Sequence, residues 1–153
     1  AVGAMLNALV TELCFMLEEH QVQLQTHIDN ELLVLGNADK LHAAVHNLFV
    51  NAIKYSGKGA VIKMSWQREG EQACFSIQDN GPGIGKEHLS RLTERFYRVA
   101  EDRNSSTGGT GLGLSIVKHS LESHRCQLEI ASTLGQGSCF SFRIPRELTL
   151  TKD

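Results

Sequence analysis

These 153 residues have little that would tie them to a charged polymer or a lipid bilayer. Lysine and arginine total 15 against 17 aspartate and glutamate, a formal net charge of -2, and the charges are scattered rather than blocked. Such a balance leaves no electrostatic footprint for nucleic acid. No apolar run approaches the roughly 18 residues of a membrane-crossing helix, and the start lacks the charged-then-apolar pattern of a secretion signal. The four cysteines, Cys14, Cys74, Cys126 and Cys139, form no C-x-x-C pair and fall in periodic segments. They read as reduced core or half-buried thiols, which favours the cytosol. There are only two prolines, Pro82 and Pro145, and no internal repeat or low-complexity segment. An initiator methionine is also missing, so a fragment of a longer protein is expected. The length suits one domain, 1–153, with a single core.

What the sequence does have is periodicity. Val2, Met5, Leu6, Leu9, Val10, Leu13, Met16 and Leu17 follow the three-and-four spacing of one amphipathic helix over 2–19. Alternation over 22–28 and the apolar run 32–35 predict two short strands joined by a turn. A second helix is expected over 37–55, with Leu41, Val45, Leu48, Phe49 and Ala52 on its apolar side. Strands at 61–66 and 73–79 should form a hairpin. A short helix at 86–95, a polar loop at 100–109 and a helix at 112–124 follow. Strands at 126–131 and 138–144, joined by a turn, close the pattern before a polar tail at 146–153.

Three places carry chemistry. Ala73, Phe75, Ile77 and Asp79 share one face of a strand, so a carboxylate ends a core-facing row. Such a group needs hydrogen-bond donors, and Asn80-Gly81-Pro82-Gly83 supplies a turn that lets a ligand come close. An amine-bearing ligand such as adenine is one donor; an ordinary Asx-type turn is the other reading. On the 37–55 helix, Asn47, Asn51 and Lys54 cluster within roughly 60° of one another, away from the apolar stripe. They are either a solvated face or a carboxamide ligand for Mg²⁺ with an ammonium near phosphate. Gly108-Gly109-Thr110-Gly111-Leu112-Gly113 runs into a helix, as a phosphate site or a hinge would. Its spacing excludes a dinucleotide fingerprint, Gly85-Lys86-Glu87 excludes a Walker site, and His42 with His46 lacks a third metal ligand.

Taken in order, Asn47 to Tyr55, Asp79 to Gly83, Phe96-Tyr97-Arg98, Gly109 to Leu114 and Gly135-Gln136-Gly137 resemble the N, G1, F, G2 and G3 boxes of sensor histidine kinases. The segments 92–99 and 111–119 are most similar to the phosphate-regulon sensor kinases. The resemblance implies the ATP-binding fold shared with gyrase-type and Hsp90-type ATPases. That is an α/β two-layer sandwich, a mixed sheet of about five strands with three main helices on one face.

It also implies roles. Asp79 would accept the adenine amino group, Tyr55 would lie on the ring, and Asn51 assisted by Asn47 would hold Mg²⁺. Lys54 and Arg98 would meet phosphates, and Gly109, Gly111 and Gly113 would let a lid close. Gly81, Gly83, Ile84, Phe96, Thr110, Leu112, Leu114 and Ser138 complete the nucleotide contacts the boxes imply. ATPase relatives carry a glutamate where Asn47 stands, so loss of that base fits a kinase rather than a hydrolase. None of the seven histidines has the acidic neighbour and following proline of a phosphoacceptor. The implied partners are therefore an acceptor-histidine hairpin outside these residues and a response regulator, with the isolated domain a cytoplasmic monomer. A nucleotide-gated interaction module and a hydrolytic ATPase are the competing readings.

Overall fold

The computed structural model describes residues 1–83 and 113–150. Helices α1 (Val2–Glu12) and α2 (Cys14–Glu19) come first, then strands β1 (Gln23–Ile28) and β2 (Leu33–Val34). Helix α3 (Ala38–Tyr55) leads to β3 (Val61–Glu69) and β4 (Gln72–Asp79). Helix α4 (Gly113–Glu122), β5 (Glu129–Thr133), β6 (Gly137–Ile144) and β7 (Thr149–Leu150) complete the described elements. Five strands form one sheet in the order β1-β3-β4-β6-β5, with β1 parallel to β3 and every other pairing antiparallel. The mixed five-stranded α/β fold expected from the sequence is present.

One face of this sheet is apolar because its strands alternate. Ile62, Met64 and Trp66 on β3, Ala73, Phe75 and Ile77 on β4, and Phe140, Phe142 and Ile144 on β6 are all buried. Phe75 and Phe142 lie directly opposite each other with ring centroids 5.2 Å apart. They join one core with Leu6 and Leu9 of α1, Leu41 to Ile53 of α3, and Val117 and Leu121 of α4. Each large side chain so buried contributes ~2 kcal/mol. Asn37 caps α3, its side chain accepting the Lys40 N–H at 3.0 Å, with Asp39 in the first turn and Lys54 in the last, as the helix dipole favours.

Three expectations are corrected. The first helix breaks at Leu13 (φ -97°, ψ 9°), which periodicity alone cannot register. The strands expected at 22–28 and 32–35 are both present as β1 and β2, but in different sheets, β2 joining β7 in a separate two-stranded one. Residues 146–150 are consequently no polar tail: Thr149 is buried, its hydroxyl donates to the carbonyls of Ile144 and Pro145, and Leu33 faces Leu150. Strands of two residues are too short to carry a period. Cys14 is exposed rather than core or half-buried, while the other three thiols match the expectation and none is oxidised.

Candidate functional site

The row Ala73, Phe75, Ile77 points Asp79 into the same face, where the residue is only 9% exposed. Among the described residues no cation stands beside its carboxylate. Instead the Gly81 N–H donates to Asp79 Oδ1 at 2.8 Å, and the Ser138 N–H donates to the same carboxylate. Burial pushes the carboxyl above its usual range, and these two N–H groups pull against that shift. Asn80 faces elsewhere, accepting the Val61 N–H at 2.8 Å and so anchoring the start of β3.

The walls around Asp79 are main chain. Gly83 (φ 76°) and Gly137 (φ 127°) both take left-handed backbone, and a Cβ on either would run into a carbonyl oxygen, of Thr133 and Asp79 respectively. The β5–β6 turn is thereby pressed against the turn after β4, and the Gly135 N–H donates to the Pro82 carbonyl at 2.7 Å. Gly81 abuts the backbone of Ser56, which follows α3. The joint at 134–137 is the hairpin turn expected between β5 and β6, and it rests on the turn after β4.

On helix α3 Asn47, Asn51, Lys54 and Tyr55 are all half-buried, and the helix ends at Tyr55, next to the Ser56 that Gly81 abuts. The asparagine face is not simply solvated, because the start of α4 lies on it. A Cβ on Gly113 would sit 3.2 Å from Asn47 Oδ1 and 3.8 Å from Asn51 Nδ2. Asn47 Nδ2 donates to the Ala43 carbonyl at 2.7 Å, which turns the amide so that its oxygen faces Gly113. Leu114, one residue on, is half-buried and packs on the core rather than standing free.

The far end of α4 is pinned to α3 by His124, 4% exposed. The Asn37 N–H can only donate, so His124 Nε2 accepts it, at 2.9 Å, and the ring proton sits on Nδ1 toward the Ser120 carbonyl at 2.8 Å. Both ends of the asparagine-bearing helix are therefore held. His42 and His46 stack on each other at 5.8 Å, and among the described residues no group of three metal-ligating side chains exists.

The structure thus gathers Gly81, Gly83 and Ser138 around Asp79, and Gly113 with Leu114 against Asn47 and Asn51 of α3, whose last turn carries Lys54 and Tyr55 and ends where Gly81 meets Ser56. Ile84, Phe96, Arg98, Gly109, Thr110, Gly111 and Leu112, with the helix at 86–95 and loop at 100–109, lie outside the described residues. Sequence reading missed Ser56 and Ser132. Ser56 is 4% exposed with a buried hydroxyl that has no hydrogen-bond partner among the described residues. Ser132 was missed because the strand expected at 126–131 starts and ends later, at Glu129 and Thr133, which places Ser132 opposite Ser138.

Comparison with known proteins bears on this geometry. Residues 36–148 match the family model described as histidine kinase-, DNA gyrase B-, and HSP90-like ATPase. The phosphate regulon sensor protein PhoR of Haemophilus influenzae is 42% identical over 151 residues, covering 99% of this chain and 35% of that protein. PhoR of Pseudomonas aeruginosa is 50% identical over 106 residues, 69% of this chain and 24% of that one. The chain thus spans about a third or less of the curated relatives it matches. Among solved structures, the mycobacterial sensor histidine kinase MprB superposes with a TM-score of 0.78 at 26% identity, covering 92% of this chain and 95% of that one.

Proposed function

The chain belongs to the family of histidine kinase-, DNA gyrase B- and HSP90-like ATPases, and on that premise we propose that it is the ATP-binding catalytic domain of a two-component sensor kinase. It binds ATP with Mg²⁺ and transfers the γ-phosphoryl group to a histidine on a separate helical hairpin, from which a response regulator takes it. The likeness to two phosphate regulon sensors supports that type of parent kinase. Among the described residues no helix is long and apolar enough to cross a membrane. Location in the cytoplasm is part of the proposal.

One observation carries the reading: among the described residues a buried carboxylate is held by two backbone N–H groups and no cation, and the turn that follows it abuts the end of the helix that bears two asparagines and a lysine. Asp79 accepts a hydrogen from the adenine amino group, and Tyr55 lies against the ring. A magnesium ion fits the donor set, since carboxamide oxygen is a hard ligand and Asn47 already presents its oxygen away from the helix backbone. When bound, the ion neutralises charge on the phosphate oxygens. Asn47 and Asn51 hold it, and Lys54 meets a phosphate oxygen as a point charge. Neutral imidazole is nucleophile enough without a strong base. The domain's task is therefore to hold the γ-phosphorus in line while a nitrogen–phosphorus bond forms and the bond to the ADP oxygen breaks. Asn47 in place of a glutamate gives water no base.

Calorimetric titration with ATP, once with Mg²⁺ and once with chelator, tests the site. Saturable binding strengthened by Mg²⁺, followed by phosphoryl transfer to a supplied acceptor hairpin, is expected. ATP binding with no transfer to any cognate hairpin makes the chain a nucleotide-gated interaction module, and rapid ATP turnover makes it a hydrolase.

A further inference from the structure

Two buried side-chain polar atoms lack a hydrogen-bond partner among the described residues, Ser56 Oγ and Trp66 Nε1. Trp66 stands on β3 opposite Phe75, within the apolar face and four positions along from Ile62, the residue that faces Asp79. Ser56 stands at the site. It caps α3 in helical backbone (φ -78°, ψ -19°), its N–H donating to the Ala52 carbonyl at 3.1 Å. Helical rotation therefore places its side chain in line with Phe49, Ala52 and Ile53, on the buried side that meets the sheet. Gly81 closes over its backbone, and the Gly81 N–H is one of the two that hold Asp79. An unpaired hydroxyl on a residue only 4% exposed destabilises the fold, and an alanine there would not. Such a breach of polar pairing belongs where a ligand supplies the missing partner.

The chemistry of that partner follows from what Asp79 leaves unread. On the adenine reading the carboxylate accepts from the 6-amino group. The ring nitrogen N1, bonded to the carbon that bears this amine, is a bare acceptor and needs a hydrogen. The Gly81 and Ser138 N–H groups are already spent on the carboxylate. Ser56 has a hydroxyl hydrogen that is uncommitted among the described residues. We propose that Ser56 is a base-contacting residue whose hydroxyl donates to N1, so that a carboxylate and a hydroxyl together match the donor–acceptor edge of adenine. Guanine and hypoxanthine carry the opposite pair there, an oxo acceptor beside an N1–H donor, and their oxo oxygen would face the carboxylate. The proposal rests on the adenine reading of Asp79. It adds a second point of contact, which fixes how the ring is turned in its own plane.

The test measures dissociation constants of Mg-ATP and of the magnesium complex of 1-deaza-ATP, in which N1 becomes a C–H and the 6-amino group is kept. Both are titrated into the wild-type chain, Ser56→Ala and Ser56→Cys, and the nucleotide-free proteins are melted. Wild type should prefer ATP by about fivefold or more, the weight of one neutral hydrogen bond. Ser56→Ala should weaken ATP by about fivefold and leave 1-deaza-ATP unchanged, so that the preference disappears. Its nucleotide-free melting temperature should equal that of wild type or exceed it, because the hydroxyl removed has no partner among the described residues. Ser56→Cys, a weak donor of similar size, should show an intermediate preference and decides the question if the alanine variant fails to fold. A hydroxyl spent inside the fold instead lowers the melting temperature and both affinities together. That result, a wild type without preference, or an unchanged preference in a folded Ser56→Ala or Ser56→Cys protein overturns the proposal while leaving Asp79 in place. Purine riboside triphosphate, which lacks the amino group, is the control. Wild type binding it as tightly as ATP removes the adenine reading itself, and the proposal with it.

Discussion

Asp79→Asn separates binding from folding. In the wild-type chain the Gly81 N–H at 2.8 Å and the Ser138 N–H both require an acceptor. Asparagine has one carbonyl oxygen, which it keeps on the Gly81 N–H, so its NH₂ stands where the second carboxylate oxygen was. The adenine amine then meets a donor instead of a carboxylate. A charge-assisted hydrogen bond is lost and nothing replaces it, which places the cost at about 2 to 3 kcal/mol, or about 30- to 150-fold in Kd. Stability moves the other way. Burial raises the carboxyl's pKa above its unfolded value, so the folded state binds the proton more tightly and stability falls as pH rises from the usual carboxylate range through that raised value. Asparagine removes that penalty, and the nucleotide-free variant should melt at the same temperature as wild type at pH 7, or higher. Calorimetry with Mg-ATP and thermal melts of the nucleotide-free protein check the two halves. ATP affinity of wild type should also weaken as pH falls through the raised value, a dependence the variant lacks. An unchanged Kd would take Asp79 out of base recognition, and a lower melting temperature would refute the ordering of burial over hydrogen bonding.

The remaining predictions concern the supports. Gly137→Ala puts a Cβ against the Asp79 carbonyl at φ 127° and should cost ~2 kcal/mol or more, read as a lowered urea midpoint with loss of ATP binding. His124→Phe keeps a ring beside Gly36 but leaves the Asn37 N–H without its acceptor, costing about 1 to 3 kcal/mol in chemical denaturation. Lys54→Met should weaken Mg-ATP more than adenosine, since only the former carries phosphates; equal loss for both would place Lys54 outside the phosphate site.

The sheet and its buried face were readable because alternation extends over six to nine residues in β1, β3, β4 and β6. Asp79 was readable for the same reason, since it continues a period set by three apolar residues. The corrections fall where a period is too short or is interrupted by geometry. Leu13 breaks a helix whose spacing stays unbroken, and β2 and β7 hold two residues each. Ser132 was hidden by a strand boundary misplaced by two residues. Ser56 gave no signal, because its burial comes from the turn at Gly81, 25 positions away in the chain. Pairings distant in sequence, such as Asn37 with His124, have no local signature at all.

The turns that wall Asp79 touch through backbone atoms: Gly83 on the Thr133 carbonyl, Gly137 on the Asp79 carbonyl, Gly135 on the Pro82 carbonyl. Peptide groups are the same whatever side chains flank them. An inhibitor built to hydrogen-bond these amides and carbonyls would meet a target that point substitution can hardly repaint, because replacing Gly83 or Gly137 distorts the fold before it alters the surface. Resistance to such a compound would have to arise from the neighbouring side chains of α3 and α4, which makes those helices the place to watch in a selection experiment.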